Sequence, residues 1–283
     1  MNQVTFLLAG AIGLINLSHA ALNPVGGDLI NDTTQNITWM RDANSFKTLC
    51  DANHAKFTSW QGSVNPPVDQ TAVTICSNNG RMTWNDAEAW IAHLNSGGGY
   101  LGYADWRQPA TAVQPDTTCE SVIAVDNSPS WPEQRGGYNC RAVGNELAHL
   151  FNVSLNNPND NGTGTTGGDV GSNCFDPPAT GTTTGNEQSP AHCFDNAAPF
   201  TNAKSFFYWS STVHLPIPSA AWSFSTILGY QDRNNKVSNT LYVWPVRPGN
   251  AVVSTPQSVP SMTPWGLGII GLLLGWVAWR RLQ

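Results

Sequence analysis

Between residues 83 and 94 apolar side chains return every three or four positions, so that Trp84, Ala87, Ile91 and Leu94 fall on one helical face. Thr83 before them has a hydroxyl suited to capping, and Asp86 sets a negative charge at the positive end of the helix dipole. Gly97, Gly98 and Gly99 then release the chain from helical geometry. The pattern predicts a helix from Trp84 to Leu94. A shorter helix is predicted over residues 145–151, with Leu147, Leu150 and Phe151 on its buried side. Residues 36–40, 206–212, 221–227 and 241–246 are rich in β-branched and aromatic side chains and bounded by turn formers, which predicts short strands. Residues 156–185 carry Gly, Thr, Asn and Asp with almost no large apolar side chain, the pattern of an inserted surface loop. Strands and helices that do not alternate as βαβ units give an α+β fold class.

The ends follow a different logic. Residues 6–17 form an apolar run closed by Ser18-His19-Ala20, which offers small residues at the two positions signal peptidase reads, and this predicts a signal peptide over residues 1–20. No Lys or Arg precedes the run, so a retained anchor is the competing reading. Residues 262–279 are uncharged and mostly apolar. Such a stretch rises ~1.5 Å per residue and reaches about 27 Å, enough for a thin bilayer. Arg280 and Arg281 border it and favour the cytoplasmic side, which places the preceding chain outside. Residues 250–261 hold Ser, Thr, Pro and Val without charge and read as a stalk. One domain is therefore expected over residues 22–249, followed by the stalk and a transmembrane or sorting tail at 262–283.

Composition excludes several classes. With 40% hydrophobic residues, 12 Trp and only 11% charged residues among 283, the chain can bury a core and is not of the disordered type. A net charge of −6 without a Lys/Arg run argues against nucleic acid, which is held by clustered cations. A neutral or cationic partner is expected. The six cysteines at 50, 76, 119, 140, 174 and 193 all lie in the exported part, and an even number in an oxidising compartment predicts three disulfides. Spacing favours neighbours: Cys50 with Cys76, Cys119 with Cys140 and Cys174 with Cys193. No C-x-x-C and no histidine pair at zinc spacing accompanies them.

Several strings in a fixed order resemble a known family. Trp39-Met40-Arg41-Asp42-Ala43-Asn44, Gly80-Arg81-Met82-Thr83-Trp84 and Gly102-Tyr103-Ala104-Asp105-Trp106-Arg107-Gln108-Pro109 are similar to the Lcl C-terminal domain family, also called domain of unknown function 1566. Gly137-Tyr138-Asn139-Cys140, Asn145-Glu146-Leu147-Ala148-His149-Leu150-Phe151, Tyr208-Trp209-Ser210-Ser211-Thr212 and Trp244-Pro245-Val246-Arg247-Pro248-Gly249 continue it over about residues 27–249. Where the family has Trp-Arg-Leu-Pro, this chain has Gln108 in place of Leu, which puts the packing of that turn in question. The resemblance implies a C-type-lectin-like fold related to formylglycine-generating enzymes, and secreted or surface-attached proteins. In the family's namesake adhesin it implies binding of sulfated glycosaminoglycans. That property is not expected here: without the terminal arginines 11 basic residues face 19 acidic ones, and sulfated polyanions are repelled unless Arg41, Lys47 and Lys56, or Arg233 and Lys236, gather. The C-terminus, with Val259-Pro260, Trp265-Gly266, an apolar run and Arg280-Arg281, resembles the IPTL-CTERM sorting signals of Gram-negative bacteria, although it reads Val259-Pro260-Ser261-Met262 at its start. That resemblance implies cleavage by a sorting protease and surface delivery from the inner membrane, with a plain anchor as the alternative.

Candidate chemistry is sparse. Trp84-Asn85-Asp86 and Gln114-Pro115-Asp116 look like C-type-lectin calcium and sugar strings, but in reversed order, and read as coincidence. Asp160 and Asn161, in Asn159-Asp160-Asn161-Gly162, group the oxygens a calcium ion takes; a polar turn is the competing reading. No G-x-S-x-G or H-E-x-x-H is present. His149 with Glu146 is the one acid/base pair, read first as a helix face. Asp105, Arg107 and Arg247 read as ion-pairing residues that tie loops.

Recognition is expected from Tyr230, Gln231, Asp232, Arg233 and Asn234, read as an exposed turn mixing a flat ring with donors and acceptors. Trp209 and Trp222 join them as stacking candidates, with burial in the core as the competing reading. The expectation is an exported, envelope-associated, adhesin-like module that binds a carbohydrate or protein and catalyses nothing. No cofactor is expected, calcium apart. The alternatives are an enzyme of the formylglycine-generating type and a structural surface or matrix protein.

Overall fold

The computed structural model describes residues 22–60, 69–124, 135–157, 196–227 and 229–252, and those up to Ala251 belong to one compact unit. They form two antiparallel sheets and a few helices, an α+β arrangement. The first sheet runs β1 (Leu22–Val25), β2 (Leu29–Asp32), β3 (Ile37–Met40) and the late strand β9 (Val246–Pro248). In the second the order is β4 (Ser121–Ala124), β5 (Arg135–Tyr138), β8 (Tyr230–Asn235), β7 (Ala220–Ser225) and β6 (Phe207–Val213).

Side chains alternate across a strand, and here both faces of each sheet are used. Leu29 opposite Met40 feeds one apolar core, while Ile30 opposite Trp39 feeds another. In the second sheet Trp209 joins the first core and its neighbour Tyr208 the second. Both sheets thus separate the same two cores, which explains why β2, β3 and β7 are buried at every position.

The helices are α1 (Ser45–Asp51), α2 (Ala55–Thr58), α3 (Ala72–Ser77), α4 (Trp84–Asn95) and α5 (Glu146–His149), the last running into a π-helical turn at Leu150–Ser154. Helix α4 matches the predicted one. The Thr83 hydroxyl accepts the Asp86 N–H at 3.2 Å, and Ala87, Trp90, Ile91 and Leu94 are buried. Its exit needs glycine: Gly99 has φ +86°, and a Cβ there would collide with the Tyr103 carbonyl. Two predicted disulfides are present. Cys50–Cys76 ties α1 to α3 with Cα atoms 6.1 Å apart, and Cys119–Cys140 closes the β4–β5 hairpin at 3.9 Å.

Two predicted elements differ. Leu241 and Tyr242 make only isolated bridges, residues 243–245 are in no strand, and β9 starts at Val246. Leu241, Tyr242, Val243 and Trp244 are all buried, and the backbone bonds of Leu241 and Tyr242 go to Met82, Phe207 and Trp209 in different segments. The run is apolar because it threads the interior between sheets. Residues 230–235, expected as an exposed turn, form β8, a strand paired on both sides by β5 and β7. Polar composition misled there, because cross-strand bonds satisfy a polar strand's backbone as well as an apolar one's.

The signal segment, the Cys174 and Cys193 pair, the calcium candidates Asp160 and Asn161, and the tail lie outside the described residues. Among those described, no helix is long and apolar enough to cross a membrane.

Candidate functional site

The strand register lines up side chains from four strands on one face of the second sheet. Tyr138 of β5 stands opposite Tyr230 of β8, which is opposite Ser225 of β7, which is opposite Phe207 of β6. The next rung on the same face holds Asp232, Ser223 and Trp209, and Asn234 lies beyond it. Tyr230 contacts Tyr138 at 5.1 Å between ring centroids and Phe207 at 5.7 Å. All three rings are half-buried, so each keeps accessible surface. Gly136 shares this face with Tyr138 and has no side chain to fill it.

Helix α4 and its surroundings cover the other end of the face. Trp209 is fully buried there, and its indole N–H donates to the Met82 carbonyl at 2.9 Å. Trp84 donates to the Ser210 carbonyl at 2.8 Å, and the Lys236 ammonium lies 4.5 Å from the Trp84 ring. What remains open is an aromatic and polar strip running from Tyr138 to Asn234.

The polar groups on the strip differ in their pairing. Asp232 Oδ1 accepts the Arg233 N–H at 2.7 Å, and burial pushes its carboxyl above the usual carboxylate range, the N–H and charge of Arg233 opposing that. Burial likewise raises the Tyr230 phenol, with the Asp232 charge adding to the effect. Asn234 donates to the Ser223 hydroxyl at 2.8 Å. The Ser225 hydroxyl, 1% exposed at residue level, has no hydrogen-bond partner among the described residues. Apart from the buried Ser225, the strip offers flat faces, an amide and a carboxyl, the set that binds a polyol by stacking and hydrogen bonds.

The sequence candidates are thereby divided. Tyr230, Asp232 and Asn234 share the open face, whereas Gln231 and Arg233 point to the opposite one, because successive residues of a strand alternate. Gln231 is 1% exposed, buried opposite Phe224. Trp209 and Trp222 are buried at 0% and 1% exposure, so neither has a ring face to offer, and the stacking role expected of them is corrected to a core role. Tyr138, Phe207 and Ser225 were missed. Their membership depends on pairing between strands more than ninety residues apart in sequence, which no local pattern encodes.

Elsewhere the candidate chemistry is committed to structure. Glu146 receives both Arg107 terminal nitrogens, at 2.7 and 2.6 Å, and the Ala110 N–H at 2.7 Å. Asp105 instead receives Arg247 at 2.9 and 3.0 Å. His149 is buried and held below its ordinary value by that burial, and its Nδ1 has no partner among the described residues. Gln108 is buried too, its amide donating to the Glu88 carboxylate of α4, which is how a polar residue fits that turn. Asp116 is closed off by Thr118 and Asn145, and Asp86 by the Asp69 and Gln70 N–H groups, so neither lectin-like string presents a free carboxylate.

Three ligating groups converge at Cys50–Asp51–Cys76 and at Asp116–Cys119–Cys140, but each place contains a disulfide, whose sulfurs are not thiolates. Three of the cations that could form a patch are each engaged within the chain. Lys47 pairs with Asp51, Lys56 caps α4 through the Ser96 carbonyl at 2.7 Å, and Arg41 holds the Pro199 and Gly27 carbonyls at 3.0 and 2.9 Å. In comparison with known proteins, no family, characterised protein or solved structure matches the chain.

Proposed function

We propose that the protein is a non-catalytic binding module that holds a neutral carbohydrate on the strip formed by Tyr138, Tyr230, Asp232 and Asn234. The reading rests on one observation: aromatic rings of three strands share one face of the second sheet with a carboxyl and an amide, all of them half-buried. A sugar ring stacks on Tyr230 while its hydroxyls bond Asp232 and Asn234. The net charge of −6, with Lys47, Lys56 and Arg41 each engaged within the chain, favours neutral over sulfated glycans.

The resemblance to the Lcl C-terminal domain supports placing this α+β unit in the C-type-lectin-like class, outside its catalytic formylglycine-generating branch. The signal-like start and the tail resembling IPTL-CTERM signals support export and attachment to the cell envelope of a Gram-negative bacterium, where the module serves adhesion. No cofactor enters this mechanism, and calcium is not required on the strip.

The test is a broad array of neutral and sulfated glycans probed with the oxidised full-length chain, with calcium and with chelator. Binding to neutral glycans that is lost in Tyr230→Ala and Asp232→Ala is the expected result. Silence in both conditions from a chain with formed disulfides overturns the carbohydrate reading and moves the strip to a protein ligand.

A further inference from the structure

A second concave region lies away from the strip. Four segments meet around a cleft of about 370 Å³: Gly27 and Asp28 between β1 and β2, residues 40–49 leading from β3 into α1, Tyr100 with Leu101, and Thr201. Arg41 builds it. Its N–H donates to the Asp28 carbonyl at 2.8 Å, its carbonyl receives the Thr201 N–H at 2.9 Å, and its guanidinium holds the Gly27 and Pro199 carbonyls. That positive group is thereby drawn onto backbone oxygens around the cleft.

Arg41 keeps its charge there, but Asp28 and Asp42 outnumber it, so the cleft lining is net negative, with hydroxyls beside the carboxylates. Asp28 is exposed on its lip. Asp42 has one oxygen occupied by the Asn44 N–H at 2.9 Å. Burial raises the Tyr100 phenol, and the charges of Asp28 and Asp42 raise it further, so both carboxylates act on the same ring and it stays neutral. Ser45, the independent feature, lines the cleft at 3% exposure, and its hydroxyl has no hydrogen-bond partner among the described residues. A buried hydroxyl left unpaired costs about 1–3 kcal/mol unless something arrives to meet it.

Ligand chemistry follows from this set. A carboxylate ligand meets Asp28 and Asp42 and is repelled. Among the described residues these two carboxylates belong to no trio of ligating groups close enough to share a metal ion. A monocation with several N–H donors fits: it meets two carboxylates and a hydroxyl, with the Tyr100 ring beside it. The apolar side chains of Met40, Leu49 and Leu101 on the same wall suit a short alkyl arm behind the charge. We propose that the cleft bounded by Asp28, Asp42, Ser45 and Tyr100 binds a primary ammonium group carried on an alkyl arm. A lysine side chain and a free alkylamine both carry this group. The proposal is independent of the carbohydrate strip.

The experiment is calorimetric titration of the oxidised full-length chain with n-butylammonium, with Nα-acetyl-lysine methylamide, and with n-butanol as the uncharged control. Saturable binding of the two ammonium probes and none of butanol is expected. Tighter binding of the lysine derivative assigns the site to a polypeptide lysine, and the reverse order assigns it to a free amine. Asp28→Asn should weaken ammonium binding about tenfold, the scale of one charge-assisted hydrogen bond. Ser45→Ala should weaken it several-fold while the melting temperature holds or rises, since the variant deletes an unpaired hydroxyl. Equal binding of butanol and butylammonium, no saturation with either ammonium probe, or unchanged affinity in both folded variants overturns the proposal.

Discussion

The turn around Glu146 and the strip around Asp232 each place a carboxyl beside an arginine of the chain, yet they differ in what is left over. Glu146 is 7% exposed, and its oxygens are filled by the two Arg107 nitrogens and the Ala110 N–H. The charge is paired in the bidentate geometry that fits a guanidinium to a carboxylate. Asp232 accepts the Arg233 N–H, but Arg233 directs its side chain to the other face of the sheet, as alternation requires. The strip also holds the unpaired Ser225 hydroxyl and three half-open rings. A saturated region holds the fold; an unsaturated one has capacity for something outside the chain. The same contrast separates Arg41, whose guanidinium clamps two backbone carbonyls, from the Ser45 hydroxyl a few residues on.

The largest effect should come from the saturated region. Glu146→Ala leaves the Ala110 N–H without its acceptor and the Arg107 guanidinium with only the Gln108 carbonyl, and unfolding in urea should register a loss of about 2–3 kcal/mol. A loss under about 1 kcal/mol on the surface-pair scale would mean that the pair ties the turn no more than an exposed ion pair does. Glycan binding by the protein that remains folded should be unchanged.

Tyr230→Ala should act the other way. Removing a central aromatic contact of a binding face costs about 2 kcal/mol, a factor of ~30 in affinity, read by titration with the best glycan from the array. Tyr230→Phe keeps the ring and should lose much less. If both variants bind alike, stacking is not what the strip does.

Asp232 provides a test in pH. Its folded value lies above the ordinary carboxylate range, so the folded state holds the proton more firmly than the unfolded chain. The stability this contributes is fully present below the ordinary carboxylate range and is lost as pH rises through the raised folded value. Asp86, raised first by burial and also by the charge of Asp69, adds a change of the same sign. Asp232→Asn should therefore flatten the fall in unfolding free energy across that window, and Asp86→Asn should flatten it independently. A slope identical in the wild type and both variants would contradict the burial assigned to these groups.

The smallest expected effect belongs to Ser225→Ala. Deleting an unpaired buried hydroxyl should raise stability by up to about 1 kcal/mol and leave glycan binding unchanged. A drop in stability would instead reveal that the hydroxyl is satisfied in the folded protein and that the strip is less open than its geometry implies.

Local signals made part of this molecule legible. Thr83, the 3.6-residue apolar spacing and the three glycines fixed α4, because helix capping and periodicity act within one segment. The short spacing between neighbouring cysteines gave both pairs that lie among the described residues, since short loops favour neighbours. The strip was half legible. Tyr230, Asp232 and Asn234 stood out by composition, but so did Gln231, Arg233, Trp209 and Trp222, which the fold places elsewhere. Their difference is one of face and cover, set by the period of two in β8 and β7 and by α4 lying over Trp209.

The sequence alone thus determined the class of the fold, the main helix, the pairing of neighbouring cysteines and the types of residue available for recognition. Only the tertiary structure decided which of them meet: that Tyr138 lies beside Tyr230, that Arg107 takes Glu146 while Asp105 takes Arg247, and that Ser45 is buried on an acidic cleft. Propensity and capping operate over a few residues, whereas these contacts join segments separated by 39 to 142 positions in the pairs of ions and by 92 in the pair of rings. Their geometry comes from strand register and packing, which a linear pattern does not contain.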